Sequence, residues 1–227
     1  MNNFFRIFVN KTLSVASLIL LFPLFLIMIV LIKLSSPGPA FFRQIRVGKN
    51  RQEFQLIKFR TMFKNAEKSE LLLTARSDKR ITNIGRILRR TKLDELPELW
   101  NVLIGDMNLV GPRPEVVRYV KHFKPEWESV FSVKPGITDL ATLQFRDEEN
   151  VLEGAIDCEQ AYIDVVLPLK MKLAIEYVDR RSLWLDFKIL VLTVWAISFG
   201  RYIAKPDNHL AEMATHRIKS FNNRYSE

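Results

Sequence analysis

The sequence has a single cysteine, Cys158, among 227 residues. A disulfide framework and a zinc site built mainly from thiolates are therefore excluded. The three histidines, His122, His209 and His216, lack the spacing that is typical of metal ligands. The Gly-x-Ser-x-Gly, Gly-x4-Gly-Lys-Ser/Thr and Gly-x-Gly-x-x-Gly motifs are also absent. These absences argue against serine hydrolases, P-loop enzymes and Rossmann dinucleotide-binding enzymes.

Basic residues outnumber acidic residues. There are 34 lysines and arginines against 25 aspartates and glutamates, which gives a formal net charge of +9 at pH 7. Such an excess predicts polyanionic partners: nucleic acid, acidic lipid or phosphate-bearing substrates. Hydrophobic residues make up 48% and charged residues 26% of the chain, a composition that excludes a wholly disordered protein.

The longest apolar run lies between Leu13 and Ile32 and contains no charged residue. Its 20 residues are about what a helix needs to cross a ~30 Å hydrocarbon core. A cleaved signal peptide fits less well, because its apolar part is usually about 7–15 residues long and is followed by an Ala-x-Ala site. The sequence therefore predicts a membrane helix over residues 1–34.

Pro23 divides this run into two halves of ten residues. Each half would be about 15 Å long as a helix, which is enough to reach the bilayer midplane. Basic residues flank both ends, with Arg6 and Lys11 before the run and Lys33 after it. Because positive flanks mark the cytoplasmic side, a re-entrant helix broken at Pro23 satisfies both ends. A single span kinked at Pro23 stays open as the alternative, since proline also occurs in spanning helices.

The remaining residues predict a small, mostly helical cytosolic domain, so the fold class is α+β. Residues 41–47 and 53–60 predict the two strands of a short β-hairpin around Gly48. Leu183–Ile203 is apolar but carries an aspartate and a lysine, which favours a core or membrane-interface helix over a second span. We divide the chain into the membrane helix (1–34), a cytosolic domain with amphipathic interface helices (35–204) and a polar C-terminal tail (205–227).

The adjacent acids Asp94 and Glu95 are the first candidates for chemistry. Pro97 follows them, and proline is tolerated in the first turn of a helix, so both acids lie near a predicted helix N-terminus. Free N–H groups and the helix dipole hold anions there, whether carboxylate or phosphate. The plain alternative is that the two acids only cap the helix.

Several basic residues are candidates for binding phosphate. Arg113 lies between two prolines on a stiff backbone, which would pre-place its guanidinium, although a simple turn into a helix explains the prolines equally. Lys58 and Arg60, two residues apart in a strand, share a face that could also be merely solvated. Arg89 and Arg146 are further candidates, and each of them alone carries little signal.

Five short motifs follow the proline-containing helix in a fixed order. They are Phe59-Arg60-Thr61-Met62, Leu93-Asp94-Glu95-Leu96-Pro97, Gly105-Asp106-Met107, Gly111-Pro112-Arg113-Pro114 and Lys134-Pro135-Gly136-Ile137-Thr138. In this order and spacing the sequence resembles the bacterial sugar transferases, the monotopic phosphoglycosyl transferases, over most of its length. Each motif is weak alone, whereas five in order form a specific signal.

The resemblance implies transfer of a sugar-1-phosphate from a UDP-sugar to polyprenyl (undecaprenyl) phosphate, with release of UMP. This would be the first membrane step of a surface glycan, catalysed by the cytosolic domain at the cytoplasmic face of the bacterial inner membrane, against anionic headgroups. The resemblance implies Mg²⁺ as cofactor, Asp94 as the nucleophile of an aspartyl–phosphosugar intermediate, and Glu95 with Asp94 as metal ligands. It assigns phosphate binding to Lys58, Arg89 and Arg113, and we predict Arg146 as a fourth phosphate-binding residue.

Four positions depart from the family pattern. Phe22 precedes Pro23 where the family commonly has serine. Asn10 occupies a position that is often acidic, and Ile7 one that is often basic. These three departures bear on the depth and angle of the membrane helix. Asp139 stands where glycine is common, which indicates a subgroup with a different sugar pocket.

The alternative from another class is a membrane-tethered basic protein that binds nucleic acid or acidic lipid without catalysis. Its binding would fall steeply with salt and would survive loss of Asp94 and Glu95. We favour the enzyme and expect no nucleic-acid partner, because a pure nucleic-acid binder needs neither rigid turns nor an apolar anchor. The sequence leaves the oligomeric state open, with a homodimer among the candidates.

Overall fold

A computed structural model of the chain describes residues 3–64, 78–145, 151–152, 155–199 and 209–225. These residues are mostly helical, as predicted. The α-helices are α1 (Asn3–Ser35), α2 (Asn83–Thr91), α3 (Glu98–Ile104), α4 (Val117–Val120), α5 (Leu140–Gln144), α6 (Cys158–Ala161), α7 (Leu167–Arg180), α8 (Leu183–Phe199) and α9 (His209–Tyr225). The strands are β1 (Phe41–Val47), β2 (Glu53–Phe59), β3 (Asn108–Val110) and β4 (Gly136–Thr138). Short 3₁₀ segments cover Lys49–Arg51, Leu93–Glu95 and Pro125–Ser132, and Tyr162–Val166 is π-helical.

The predicted β-hairpin is confirmed. Strands β1 and β2 pair antiparallel, with Phe41 opposite Phe59 and Val47 opposite Glu53. The turn between them passes through Asn50, whose φ of 55° is a left-handed conformation that asparagine adopts more readily than most residues. Phe59, at the end of β2, is buried and its ring lies 5.2 Å from that of Phe25 in α1. The hairpin is thereby fixed to the apolar N-terminal helix.

Helix α1 is 33 residues long and continues on both sides of Pro23. Among the described residues it is the one helix that is long and apolar enough to cross a membrane. Both of its halves contact the same domain. Ser14 in the first half donates a hydrogen bond to the Leu99 carbonyl of α3, and Ile32 in the second half packs in a cluster with Phe59. The re-entrant path stays a prediction.

The largest hydrophobic core lies in the C-terminal half of the domain. It contains Tyr162 and Leu167 together with Ala214 and Ile218 of α9. These last two residues are four apart and therefore share one face of the helix. The polar segment predicted as a tail from residue 205 onward thus contains a helix that packs into the core through its few apolar side chains.

Helix α8 confirms the helix predicted from Leu183, as far as residue 199. Its Ile189 is fully buried beside Tyr177 of α7, so one side of the helix belongs to the core. Trp184, Phe187 and other apolar side chains on the helix are exposed. The membrane-interface role of this exposed surface stays a prediction, and residues 200–203 lie outside the described part of the chain.

Candidate active site

The two adjacent acids lie in the 3₁₀ turn Leu93–Glu95, between α2 and α3. Helix α2 ends at Lys92, which adopts the left-handed conformation with a φ of 58°, and the chain then reverses. Helix α3 starts after Pro97, so the prediction that the acids precede a helix N-terminus is confirmed. Asp94 and Glu95 are each only 8% exposed. Burial makes it costly to ionise both carboxyls without positive partners nearby.

Glu95 has two such partners. The two terminal guanidinium nitrogens of Arg113, Nη1 and Nη2, donate to the carboxylate oxygens Oε2 and Oε1 of Glu95, in the fork geometry that suits arginine. The Lys58 ammonium lies 3.0 Å from Glu95 Oε1. Burial by itself would raise the pKa of Glu95, but the charges of Arg113 and Lys58 outweigh it and hold the pKa well below its usual value. Glu95 is therefore a fixed anion at neutral pH.

Asp94 is in the opposite situation. Burial, and next the negative charge of Glu95, raise the pKa of Asp94, although Lys58, Lys92 and Arg89 act in the other direction. Its Oδ1 is buried and accepts no hydrogen bond from the described residues. A buried, unsatisfied carboxylate oxygen calls for an explanation, and a bound cation or an approaching substrate is one. The two acids thus occupy contrasting environments, a pattern that often separates their chemical roles.

Glu98 is a third carboxyl at this site, and it was not among the residues predicted from the sequence. It is 1% exposed, and its Oε1 lies 3.3 Å from the Lys58 ammonium, so Lys58 is shared between Glu95 and Glu98. Burial is the main reason that the pKa of Glu98 rises to about 7. The sequence did contain one signal for Glu98. It stands three positions after Glu95, in the first turn of α3, and residues three apart in a helical turn lie on the same side of the chain.

Arg113 is held in place by its backbone. Its loop follows strand β3, which pairs in parallel with β4, with Val110 opposite Thr138. The two strands approach so closely at Gly136 that a Cβ there would lie 2.1 Å from the Gly111 nitrogen. The Asp139 carboxylate accepts hydrogen bonds from the Arg113 N–H (3.1 Å) and the Thr142 N–H (2.6 Å). Asp139, which departs from the family pattern, therefore caps α5 and anchors this loop.

The other predicted basic residues have different surroundings. Arg89 donates its Nε–H to Thr61 Oγ1 at 3.0 Å, so it joins α2 to the segment after β2, and its positive charge offsets a small part of the rise in the pKa of Asp94. Arg60 donates to the carbonyls of Ser36 (2.7 Å) and Pro37 (2.8 Å) at the end of α1, where carbonyls lack helical partners. Of the strand pair, Lys58 alone therefore reaches the acids. Arg146 lies outside the described residues.

The donor set suits a hard cation that is shared with a substrate. The described residues contain no group of three or more His, Cys, Asp or Glu side chains that could enclose a metal ion. Mg²⁺, however, is usually held by one or two carboxylates plus substrate phosphates and water. Asp94, with its unsatisfied Oδ1, and the ionised Glu95 beside it fit that kind of site.

A family model described as "Bacterial sugar transferase" matches residues 1–200. A UDP-glucose:undecaprenyl-phosphate glucose-1-phosphate transferase of Xanthomonas campestris pv. campestris is 39% identical over 189 residues, which cover 81% of this chain and 37% of that protein. A UDP-N-acetylgalactosamine-undecaprenyl-phosphate N-acetylgalactosaminephosphotransferase of Aeromonas hydrophila is 36% identical, over 85% of this chain and 44% of that protein. An uncharacterized sugar transferase of Bacillus subtilis (strain 168), EpsL, is 38% identical over 85% of both chains. The chain thus spans less than half the length of the first two of these relatives.

Proposed function

The chain belongs to the bacterial sugar transferase family, and on that premise we propose that it transfers a sugar-1-phosphate from a UDP-sugar to undecaprenyl phosphate. The products would be undecaprenyl-diphosphate sugar and UMP, and the step would initiate a surface glycan. The observation that carries this proposal is the buried acidic pair, in which Glu95 is neutralised by Lys58 and Arg113 while Asp94 keeps an unsatisfied oxygen.

Asp94 is the nucleophile of the proposed reaction. Its carboxylate oxygen attacks the phosphorus that carries the sugar, the bond from this phosphorus to the UMP oxygen breaks, and UMP leaves with the electron pair. A phosphate oxygen of undecaprenyl phosphate then attacks the same phosphorus, and the Asp94 carboxylate is released unchanged. This two-step route lets the water-soluble donor and the lipid acceptor use one site in turn.

The basic residues reduce the repulsion that an anionic nucleophile meets at a diphosphate. Arg113 and Lys58, which hold Glu95, are the residues best placed to exchange part of that pairing for substrate phosphate oxygens. Arg89, on α2, adds a further positive charge near the anionic nucleophile Asp94. Arg146 stays a predicted phosphate-binding residue.

Asp94 and Glu95 would hold Mg²⁺ together with the donor diphosphate. The ion, when bound, supplies charge neutralisation at the phosphates and orients them for displacement. Glu95 stays anionic at neutral pH beside Arg113, and it would bind the ion through an oxygen that Arg113 or Lys58 gives up when these residues turn to substrate phosphate. Arg113 fixes the carboxylate plane, so the geometry of the pair is set before the donor arrives.

The helix contacts support a monotopic arrangement at the cytoplasmic face of the inner membrane. Ser14 and Ile32 both contact the domain and are 18 residues apart, which is about 27 Å along a helix. In a perpendicular span that distance would draw most of the charged domain across a ~30 Å hydrocarbon core. A helix that enters and leaves the membrane by one face keeps both contacts. The exposed side chains of α8 would then lie at the membrane interface. Such protomers could also pair as a homodimer.

The test is release of UMP by the purified chain in a bilayer with undecaprenyl phosphate and Mg²⁺. Because the named relatives use different sugars, the assay covers UDP-glucose, UDP-galactose and their N-acetylated forms. We expect one of these donors to give many UMP molecules per chain when undecaprenyl phosphate is present. Without undecaprenyl phosphate we expect at most one UMP per chain, because the first step releases UMP once and then stops. An absence of UMP with every donor, together with salt-sensitive binding of nucleic acid, would favour the non-catalytic alternative.

A further inference from the structure

A stripe of polar side chains runs along the first half of α1. Arg6, Asn10 and Ser14 are 6%, 8% and 0% exposed, although they belong to a helix whose other side chains are largely apolar and exposed. Their spacing of four residues places all three on one face. Polar groups on a membrane helix are costly unless they are paired, so this face indicates a specific docking contact.

Ser14 and Asn10 contact the two segments that carry the active site. Ser14 Oγ donates to the Leu99 carbonyl at 2.5 Å, and Leu99 lies in the first turn of α3, four residues after Glu95. Asn10 Oδ1 accepts the backbone N–H of Leu109 at 2.6 Å, and Leu109 is the central residue of β3, four residues before Arg113. The Asn10 amide donates back to the Arg6 carbonyl at 2.7 Å.

Arg6 ends the stripe in a buried cluster. Its Nη1 lies 2.8 Å from Asp186 Oδ2 of α8 and 3.2 Å from the Tyr177 hydroxyl of α7. The Tyr177 hydroxyl also lies 2.7 Å from Asp186 Oδ1 and 3.1 Å from the Val110 carbonyl of β3. One side of α1 is therefore hydrogen-bonded to α3, β3, α7 and α8.

We propose that Arg6, Asn10 and Ser14 are positioning residues that fix the register of α1 on α3 and β3, and thereby hold the acidic pair and the Arg113 loop at one depth relative to the membrane. Apolar contacts are non-directional and would let the helix slide or rotate. Hydrogen bonds to two backbone groups define one register, and a slip of a single turn moves the helix by about 5.4 Å. Displacements of about 1 Å already reduce catalysis substantially.

The kinetic test rests on the proposed function and uses Ser14→Ala and Asn10→Leu in nanodiscs. We expect kcat for UMP release to fall about tenfold in each, the change that corresponds to about 1.4 kcal/mol, while KM for the UDP-sugar stays within about twofold. Ser14→Thr keeps the hydroxyl and Asn10→Asp keeps the acceptor, so both should restore most of kcat. Thr12→Ala, which removes an exposed hydroxyl on the same helix, is the matched control. An unchanged kcat in both Ser14→Ala and Asn10→Leu overturns the proposal.

A distance measurement tests the same contact without activity. Spin labels at Lys11→Cys and Asp179→Cys, both exposed positions, in a Cys158→Ser background report the distance between α1 and the end of α7. We expect one narrow distribution, which broadens or gains a second component when Arg6→Met or Asn10→Leu is added. The charge-exchange pair Arg6→Asp with Asp186→Arg should recover the narrow distribution.

The two readouts separate two failures. A distribution that stays narrow in Arg6→Met and in Asn10→Leu overturns the positioning role, whatever the kinetics show. If the unmodified chain releases no UMP, the proposed function fails, whereas the distance measurement still decides whether the stripe fixes the register of α1.

Discussion

Asp94→Asn should abolish activity while leaving the stability of the folded chain unchanged or higher. The substitution keeps the size of the side chain but removes the carboxylate that we propose as the nucleophile. Removing a nucleophile typically lowers kcat by about 10⁴-fold to 10⁶-fold, which corresponds to roughly 5–8 kcal/mol of transition-state stabilisation. We therefore expect UMP release at no more than about one part in 10⁴ of the original rate.

The stability of the same variant follows from its surroundings. Asp94 is buried, its Oδ1 accepts no hydrogen bond from the described residues, and burial and the neighbouring Glu95 raise its pKa. Ionised Asp94 is therefore a destabilising group in the folded protein, and a neutral amide relieves that cost. We expect the free energy of unfolding at pH 7 to stay within about 1 kcal/mol of the original or to rise.

The assay combines continuous detection of UMP with thermal unfolding in the same nanodiscs. Asp179→Asn, which neutralises an exposed aspartate on α7, is the matched control and should leave both quantities unchanged. Incubation of the unmodified chain with the UDP-sugar alone should also yield a phosphosugar adduct on Asp94, detectable by mass spectrometry. Turnover of Asp94→Asn above about 1% of the original rate, well outside the range for loss of a nucleophile, would refute the assignment.

Three further predictions concern the groups around Asp94. Arg113→Lys keeps the positive charge but loses the two-pronged hydrogen bond to Glu95, so kcat/KM should fall about 100-fold. Arg113→Ala should lower kcat/KM about 1,000-fold and the free energy of unfolding by about 3 kcal/mol, because Glu95 then stays buried with Lys58 as its remaining partner. Small losses in both variants would contradict the role of Arg113 in holding Glu95. Chelation of divalent cations should abolish UMP release, and added Mg²⁺ should restore it; activity that persists in excess chelator would remove the metal from the proposal. The folded chain keeps a proton on Glu98 up to about pH 7, whereas the unfolded chain releases it near the ordinary pKa of 4.5. The free energy of unfolding should therefore fall by up to roughly 3 kcal/mol as the pH rises from 4.5 to about 7. In thermal unfolding scans from pH 4.5 to 8, Glu98→Gln should remove most of this pH dependence.

The local features of the chain were predictable because short-range physics sets them. The alternating strands around Gly48 predict the hairpin, and the Leu93–Pro97 segment predicts acids just before a helix. Proline restricts the backbone wherever it stands, so the stiff loop around Arg113 could also be inferred. The apolar run from Leu13 to Ile32 predicts a membrane helix by length and composition, although composition does not determine a path through the bilayer.

Relations between distant segments were decided by the tertiary structure. Lys58 is 37 residues from Glu95, and Arg113 is 18 residues from it on the other side, so nothing local indicates that both meet one carboxylate while Arg60 turns to the end of α1. The role of Glu98 likewise depends on burial, which only packing creates. Asn10 reads in the sequence as a departure from a family pattern, and its hydrogen bond to Leu109, 99 residues away, gives it a structural purpose. Sequence determines which groups are available and how stiff each segment is, whereas the pairing of charges and the degree of burial come from bringing remote segments together.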